Sequence, residues 1–224
     1  MPRSVVYCQD CLEAMRKMPD NAFDLAVVDP VYGGVTSGGY FQNSAHGVAK
    51  VKDYHTAIWS QEKTSQEYFD QLMRISRNQI VWGGNYFCEE IHRNSQCWLI
   101  WDKVHPDGVR FADCEMAWTS FDLATRIFRY KWNGMLQENM ANKEIRIHPT
   151  QKPIPLYEWV YKNYAEQGMK ILDTHMGSQS SRIAAYNMGL DYTGYEIDET
   201  YFKLGCDRFD RHTAQYSLFV DGSE

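Results

Sequence analysis

An acidic residue, a proline and a tyrosine stand close together in the segment Asp29-Pro30-Val31-Tyr32. A carboxylate and a backbone carbonyl both accept hydrogen bonds, and a tyrosine ring stacks on other planar groups. This combination could hold the exocyclic amine of a planar ring while stacking on the ring itself. For so short a motif taken alone, the alternative is a proline that ends a strand, followed by a buried tyrosine.

A glycine-rich segment follows this motif and extends from residue 33 to about residue 55. Five glycines lie within its first fifteen residues, and aromatic residues at positions 40, 41, 54 and 59 could pack once a ligand fills the site. A flexible loop after a catalytic strand is a common place for a lid that excludes water. We therefore predict a lid over residues 33–55, with a static surface loop as the alternative.

A second candidate site combines the run from Asp173 to Ser178 with an acid, Glu196, that follows Gly177 by about twenty residues. Small residues in such a turn let a ligand approach the backbone, and a carboxylate at this spacing accepts hydrogen bonds from ribose hydroxyls. The pattern is typical of a nucleoside site. The alternative is a tight turn at Gly177 and Ser178 with a solvated glutamate.

Hydrophobic patterning places both motifs at the ends of strands. Residues 23–29 form an apolar run that Pro30 ends, as expected for a strand buried on both faces of a parallel sheet, and residues 170–173 form another. The other predicted strands cover residues 79–82, 96–101, 114–119, 126–130 and 191–197. The predicted helices cover residues 11–18, a stretch after a capping box at residues 64–67, residues 155–167 and 180–188, and a last helix capped by Asp198.

This alternation predicts an α/β fold with a Rossmann-like, doubly wound sheet. The aromatic-rich runs over residues 96–101, 114–119 and 126–130 predict a small antiparallel or irregular insertion. In such sheets ligands bind beyond the carboxyl ends of the strands, which is where both candidate sites lie.

Composition and length limit the class of protein. The chain has 224 residues, of which 44% are hydrophobic, enough for one sizeable core, and no apolar run is long enough to cross a membrane. No signal peptide is visible, so we expect a cytoplasmic protein with six reduced cysteines. The pair Cys8 and Cys11 lacks the further ligands of a zinc site, so we expect no metal.

The net charge of −6 argues against a protein that coats nucleic acid nonspecifically. One region differs from this average, because residues 126–152 carry six basic and two acidic residues. The basic residues are Arg126, Arg129, Lys131, Lys143, Arg146 and Lys152. A polyanion is expected to bind there.

Taken together, the motifs resemble the amino-group DNA methyltransferases that use S-adenosylmethionine. They follow the permuted (beta-type) order, in which the catalytic motif precedes the cofactor motif. Residues 29–32 resemble the family's D-P-P-Y motif, residues 148–153 (His-Pro-Thr-Gln-Lys-Pro) resemble the segment that leads into the cofactor half, and residues 173–178 resemble the cofactor loop. Residues 7–12 resemble the N-terminal motif, and residues 82–87 and 101–103 resemble compact phage and prophage versions.

The resemblance implies methyl transfer to the N6 of an adenine that is rotated out of the DNA duplex. It implies that Asp29 and the carbonyl of Pro30 accept the amine hydrogens and that Tyr32 stacks on the base. The cofactor contacts that it implies are Asp10, Cys11, Thr150, Gln151, Lys152, Asp173, His175, Gly177, Ser178 and Glu196. The implied organisation is one domain, with a catalytic half (1–101), a DNA-recognition segment (102–147) and a cofactor half (148–224).

In the recognition segment we expect phosphate contacts from Arg126, Arg129 and Lys131, with solvated strand residues as the alternative. Asn133, expected in a turn, could read a base edge. The segment is short, so a homodimer is one way to complete it. A restriction-modification role is the biological setting that this resemblance suggests.

Two residues depart from the family pattern. Val31 replaces the second proline of the catalytic motif, and Gln179 places a bulky residue where the cofactor loop normally has a small one. Three alternatives therefore stay open: a cytosine-N4 methyltransferase, a cofactor- or DNA-binding homologue with little activity, and a methyltransferase that acts on RNA or a small molecule.

Overall fold

The computed structural model describes residues 2–33, 63–106, 112–133 and 136–220, the last six of these by their backbone alone. Most of the predicted lid, and Gly134 after Asn133, lie outside the described residues. The strands are β1 (Ser4–Cys8), β2 (Phe23–Val28), β3 (Ser76–Trp82), β4 (Trp98–Asp102), β5 (Cys114–Thr119), β6 (Arg126–Arg129), β7 (Trp132–Asn133), β8 (Leu136–Gln137), β9 (Lys170–Asp173) and β10 (Asp191–Glu196). The helices are α1 (Cys11–Met15), α2 (Gln66–Ile75), α3 (Cys88–Ile91), α4 (Ile154–Tyr164), α5 (Ser180–Asn187) and α6 (Glu199–Val220).

In the described part of the chain, eight strands form one sheet in the order β1-β10-β9-β2-β3-β5-β4-β6, and β7 and β8 form a separate hairpin. The pairs from β1 to β3 are all parallel, whereas β5 runs antiparallel to both β3 and β4. The carboxyl ends of the five parallel strands therefore meet at one edge, together with the end of β4 and the start of β5. Candidate site residues collect at this edge.

The alternation of β2 divides its side chains between two apolar clusters. Leu25 and Val27 pack in one cluster with residues of α4 and α5, and Ala26 and Val28 pack in the other with residues of α1 and α2. Helices thus cover both faces of the sheet, as the doubly wound prediction requires. In addition, none of the helices in the described ranges is long and apolar enough to cross a membrane.

One predicted strand pairing is wrong. The sequence predicts antiparallel edge strands, and β4 and β5 do pair in that way, but β6 pairs parallel with β4. Both edges of β5 are already paired, with β3 and β4. The strand that returns from β5 therefore pairs with the other edge of β4 and runs in the same direction as β4.

Several element boundaries also differ from the sequence prediction. Ser65, not Thr64, caps α2, because the Thr64 hydroxyl donates a hydrogen bond to the carbonyl of Val31 at 2.9 Å. The acid that was expected to close the capping box, Glu67, pairs with Arg16 of the segment after α1. Helix α1 ends at residue 15, α4 runs from 154 to 164, and β3 begins at 76. Strand β1, helix α3 and the β7-β8 hairpin were not predicted.

Candidate active site

A cavity of about 280 Å³ opens at the carboxyl edge of the sheet and brings the two candidate sites together. Its volume lies close to the lower end of the range for small-molecule sites, about 300–1,000 Å³. The predicted residues that line it are Asp10, Cys11, Asp29, Tyr32, Thr150, Gln151, Lys152, His175, Gly177, Ser178 and Glu196. The strands that precede Asp29 and Thr174, β2 and β9, are neighbours in the sheet although they are far apart in sequence.

The acid at the end of β10 is a buried carboxylate. Glu196 is 6% exposed, so the alternative of a solvated glutamate is wrong. Its two carboxylate oxygens accept hydrogen bonds from the backbone N–H groups of Asp198 and Gly177, both at 2.9 Å. Burial raises the pKa of Glu196 to about 7, against the opposing effect of these two hydrogen bonds. The carboxylate thus faces the cavity with part of its acceptor capacity unused by the backbone.

Asp173 stabilises the turn after β9. This carboxylate is buried, and it accepts hydrogen bonds from the hydroxyl of Ser181 at 2.5 Å and from the backbone N–H of His175 at 3.0 Å. Asp173 is absent from the cavity lining, so it positions the turn. Gly177 has a φ of +45°, in the left-handed region that favours glycine. The turn therefore exposes its backbone to the cavity.

Gln179 does not add bulk to the cavity. Its side chain is fully buried, and its amide donates a hydrogen bond to the carbonyl of Phe202 and accepts one from Arg182. Gly205 of α6 makes room for it, because a Cβ at that position would lie 2.7 Å from Gln179. The departure from the family pattern is thus accommodated beneath α6.

At the N-terminal part of the cavity, Asp10 caps the short helix α1. Its Oδ1 accepts hydrogen bonds from the backbone N–H groups of Leu12 at 2.7 Å and Glu13 at 3.1 Å. The neighbouring thiol of Cys11 is not activated, since burial raises its pKa to about 12. Among the described residues, no cluster of three or more His, Cys, Asp or Glu side chains could hold a metal ion.

The carboxylate of Asp29 lies directly after β2 and contacts a buried lysine. The ammonium of Lys152, which is 5% exposed, lies 2.5 Å from Oδ2 of Asp29 and 3.0 Å from Oε2 of Glu115. Lys103 lies 2.6 Å from the other oxygen of Glu115. Four charged side chains thus form one ion-pair network, Asp29–Lys152–Glu115–Lys103.

The charged groups of this ion-pair network shift one another's pKa. Burial raises the pKa of Asp29, and Lys152 opposes the rise. Burial would also raise the pKa of Glu115, but Lys152 and Lys103 lower it to about 2. Burial disfavours the ammonium of Lys152, yet the two adjacent carboxylates raise its pKa above the ordinary value.

Sequence reasoning missed Glu115 and Lys103 as site residues. The available signal was an acid within the otherwise apolar run over residues 114–119, together with a predicted strand over residues 96–101 that is followed by Asp102 and Lys103. Lys152 was expected to contact the cofactor. The structure places its ammonium between two carboxylates at the wall of the same cavity.

Tyr32 lines the cavity and stacks on a second tyrosine. The ring centroids of Tyr32 and Tyr86 are 4.5 Å apart with an angle of 14° between the planes. Gly83 lies against the Tyr32 ring, where a Cβ would come within 3.1 Å. The carbonyl of Val31 accepts hydrogen bonds from both the backbone N–H and the hydroxyl of Thr64. These bonds hold the turn where the family has a second proline, and Pro30 itself is buried.

The predicted DNA-contacting residues lie away from the cavity. Arg126 and Arg129 are exposed at the two ends of the edge strand β6, and Arg129 lies 3.4 Å from Asp102. Lys131 follows this strand, and its backbone N–H donates to Glu138. Asn133 is the last residue of strand β7 and pairs with Leu136 across the hairpin.

Comparison with known sequences finds matches over most of the chain. Residues 42–206, more than half of the chain, match the sequence model of a family described as DNA methylase, whose name covers N6 and N4 methyltransferases. The matched residues include Glu115, Lys152 and Glu196 but begin after Asp29. The type II methyltransferase M.HinfI of Haemophilus influenzae is 23% identical over 242 residues, which cover 89% of this chain and 66% of the relative.

Solved structures with the same fold include a complex with SAM and a DNA methyltransferase. M1.HpyAVI in complex with SAM gives a TM-score of 0.57 at 18% identity, and the match covers 91% of this chain and 98% of the other. The cytosine-N4-specific PvuII DNA methyltransferase gives a TM-score of 0.57 at 14% identity over 99% of this chain and 95% of the other. The expected Rossmann-like α/β fold is therefore confirmed.

Proposed function

The chain belongs to the DNA methylase family, and from this premise we propose that it transfers a methyl group from S-adenosylmethionine to the exocyclic N6 of an adenine in DNA. One observation carries the proposal. Asp29, which would face the target amine, and Glu196, which would face the ribose of the cofactor, line the same cavity at the carboxyl edge of the sheet. A base and a cofactor bound there would be held next to each other, as a transfer reaction requires.

The residues around Glu196 fit an adenosyl cofactor. Each carboxylate oxygen of Glu196 accepts one backbone N–H, so lone pairs are left for the hydroxyls of a ribose. Gly177 and Ser178 would bring the backbone close to the ligand, and Asp10, Cys11, Thr150, Gln151 and His175 would complete the wall. When bound, S-adenosylmethionine supplies an electrophilic methyl group on a positively charged sulfur.

The residues around Asp29 fit the acceptor amine. An exocyclic amine on an aromatic ring is a weak nucleophile because its lone pair is delocalised into the ring. Asp29 and the carbonyl of Pro30 would accept the two amine hydrogens and favour a more tetrahedral nitrogen. Tyr32, already backed by Tyr86, would stack on a base rotated out of the duplex. Burial raises the pKa of Tyr32 to about 12, so its ring stays uncharged at neutral pH.

Adenine is proposed as the target because the first residue of the catalytic motif is an acid, which the resemblance associates with N6 chemistry. Cytosine N4 is the second candidate, because the fold also matches the cytosine-N4-specific PvuII enzyme. Both amines need the same hydrogen-bond acceptors. The placement of Gln179 beneath α6 and the hydrogen bonds to Val31 favour an active enzyme over a binding protein that lacks catalysis.

We also propose the permuted, beta-type motif order, a compact phage-like form and a restriction-modification setting. The motif order is supported by Asp29, whose strand β2 precedes the cofactor strand β9 along the chain. Residues 1–101, 102–147 and 148–224 would act as catalytic, recognition and cofactor parts of one domain. DNA would contact Arg126, Arg129, Lys131 and Asn133, and a homodimer would extend this short recognition surface.

The test is incubation with S-adenosylmethionine that carries a tritiated methyl group and with unmethylated DNA, followed by digestion to nucleosides. Label in N6-methyl-2′-deoxyadenosine would support the proposal, whereas label in N4-methyl-2′-deoxycytidine would favour the second candidate. Parallel reactions with RNA and with free nucleosides test the other acceptors. Absence of label in DNA, with cofactor binding intact, would overturn the proposed activity.

A further inference from the structure

The ion-pair network Asp29–Lys152–Glu115–Lys103 brings together side chains from four separate segments. Asp29 follows β2, Lys152 precedes α4, Glu115 lies in β5, and Lys103 follows β4. Within the sheet, Glu115 lies opposite Trp101, two residues before Lys103 along the chain. The register of β4 and β5 therefore sets the distance between Lys103 and Glu115.

Aromatic rings also contact the two ammonium groups. Lys152 lies 5.7 Å from the centroid of the Trp82 ring, and Lys103 lies 5.2 Å from that of the Trp101 ring. Such contacts attract a cation to the face of the aromatic ring. The position of Lys152 is thus fixed by two carboxylates and one aromatic face.

This arrangement creates a requirement for the proposed reaction. Asp29 must accept a hydrogen bond from the target amine, yet an ammonium lies 2.5 Å from its Oδ2. If Asp29 were the sole carboxylate partner of Lys152, the ammonium would be free to bridge both oxygens of Asp29 and would compete with the amine. Glu115 offers a second acceptor at 3.0 Å and keeps Lys152 between the two carboxylates.

We propose that Glu115 is a positioning residue for methyl transfer: it anchors the Lys152 ammonium at Oδ2 of Asp29 and so keeps Oδ1 of the Asp29 carboxylate available to the target amine. The proposal rests on the proposed function. Lys103 supports the same arrangement by fixing the second oxygen of Glu115. Glu115 does not line the cavity and would touch neither the base nor the cofactor directly.

Glu115 also affects the ionisation of Asp29. Replacing Glu115 by Gln removes one negative charge from the neighbourhood of Asp29. Glu115 raises the pKa of Asp29, so its removal should lower that pKa. Because the pKa of Glu115 is about 2, its charge is constant above pH 4 and cannot itself produce a titration there.

Other charged and titratable groups also interact electrostatically with Asp29, and the measurement must distinguish their effects from that of Glu115. They are Lys152, Lys103, Tyr32, Tyr68, Tyr157 and Asp173. Burial raises the pKa of each of the three tyrosines, so they stay neutral. Burial raises the pKa of Asp173 to about 6, so Asp173 is a second buried acid whose titration could be mistaken for that of Asp29. Kinetics alone would mix the two acids, and a readout specific to Asp29 is needed.

The experiment compares the full-length parent with Glu115→Gln and Glu115→Asp by carboxyl ¹³C NMR, with the Asp29 signal assigned from Asp29→Asn. We expect the pKa of Asp29 to fall by about 1 unit in Glu115→Gln, the size typical of a nearby charge, and to change less in Glu115→Asp. In the methyl-transfer assay, kcat should fall about 10- to 100-fold in Glu115→Gln, as for a small misplacement of a reacting group. KM for S-adenosylmethionine should stay within about 3-fold of the parent value, and Glu115→Asp should recover part of kcat.

Glu67→Gln is the matched control, because it removes an acid from an ion pair with Arg16 at an exposed site. It should leave kcat and the titration of Asp29 unchanged. An unchanged Asp29 titration in Glu115→Gln would overturn the proposal, as would a parallel loss of kcat, cofactor binding and thermal stability. If Glu115→Gln does not fold, parent values of kcat and of the Asp29 pKa in Glu115→Asp would overturn it. If the parent does not methylate DNA, the proposed function fails, while the NMR titration still shows whether Glu115 acts on the ionisation of Asp29.

Discussion

Lys152 and Asp29 are 123 residues apart in the chain, yet their charged atoms lie 2.5 Å apart at the wall of the cavity. The contact joins the segment before α4 to the end of β2, which are the cofactor and catalytic parts proposed from the sequence. It means that the candidate catalytic acid is not an isolated carboxylate. Its charge, its orientation and its access to a ligand all depend on the lysine and on the lysine's second partner.

Replacing Asp29 by Ala should abolish methyl transfer, with a loss of activity above about 100-fold, because the acceptor for the amine hydrogen is removed. The cofactor affinity should stay within about 3-fold of the parent value, since Glu196 and the turn at Gly177 are untouched. Isothermal titration with S-adenosylmethionine and the tritium assay measure the two quantities. The paired variant Glu196→Ala should show the opposite pattern and lose cofactor affinity. Retained turnover in Asp29→Ala would show that the roles are misassigned.

Cofactor affinity should depend on pH through Glu196. Burial raises the pKa of Glu196 to about 7 in the free protein, and hydrogen bonds from ribose hydroxyls would favour its ionised form and lower the pKa. Affinity should therefore be highest above pH 7 and weaken below it, by at most about tenfold per pH unit for one proton. Titrations between pH 5.5 and about 8.5 measure this slope. Glu196→Gln should bind more weakly and lose the slope, and an equal slope in that variant would assign it to another group.

The cavity edge could be predicted from the sequence because its parts obey local rules. The apolar runs at residues 23–29 and 170–173 identify buried strands without any knowledge of their partners, and residues that follow such strands meet at one edge. Asp29 and the turn after Asp173 were found in this way, and Glu196 was found from its spacing after Gly177. Gln179 shows the limit of the same reasoning, since the direction of its side chain depends on the small residue Gly205 in a distant helix.

Glu115 and the direction of β6 could not be predicted because they depend on pairing between distant strands. An acid in a short strand normally faces solvent, and the pairing with β4 is what aims Glu115 at Lys103 and Lys152. Likewise, both edges of β5 are paired, one of them with β3, so β6 pairs with β4 instead and runs parallel to it. Neither the contacts of Glu115 nor the direction of β6 can be inferred from the residues next to Glu115 or Arg126.

DNA affinity should depend on the two arginines at the ends of β6. If Arg126 and Arg129 each neutralise a phosphate, the double variant Arg126→Ala with Arg129→Ala should reduce the slope of log K against log salt by about 1.8. Affinity should fall as well, most strongly at low salt. Fluorescence anisotropy with a labelled duplex over a salt series gives both numbers.

The control for this measurement removes two charges from the other end of the sheet. Arg77 and Lys170 lie near the amino ends of β3 and β9, opposite the cavity edge. Arg77→Ala with Lys170→Ala should leave the salt slope at the parent value. Parent-like binding by the β6 variant at every salt concentration would place the DNA interface elsewhere.

Gln179 and Gly205 should be energetically coupled. A Cβ at Gly205 would lie 2.7 Å from the fully buried side chain of Gln179, which is held by hydrogen bonds to Phe202 and Arg182 and so cannot move aside freely. Gly205→Ala should therefore lower the free energy of unfolding by about 1–3 kcal/mol, the usual cost of overpacking. The same change should cost clearly less in a Gln179→Gly background, because the obstructing side chain is gone. Urea unfolding of the four proteins in this double-mutant cycle measures the coupling, and additive effects would mean that the two residues do not share the space beneath α6.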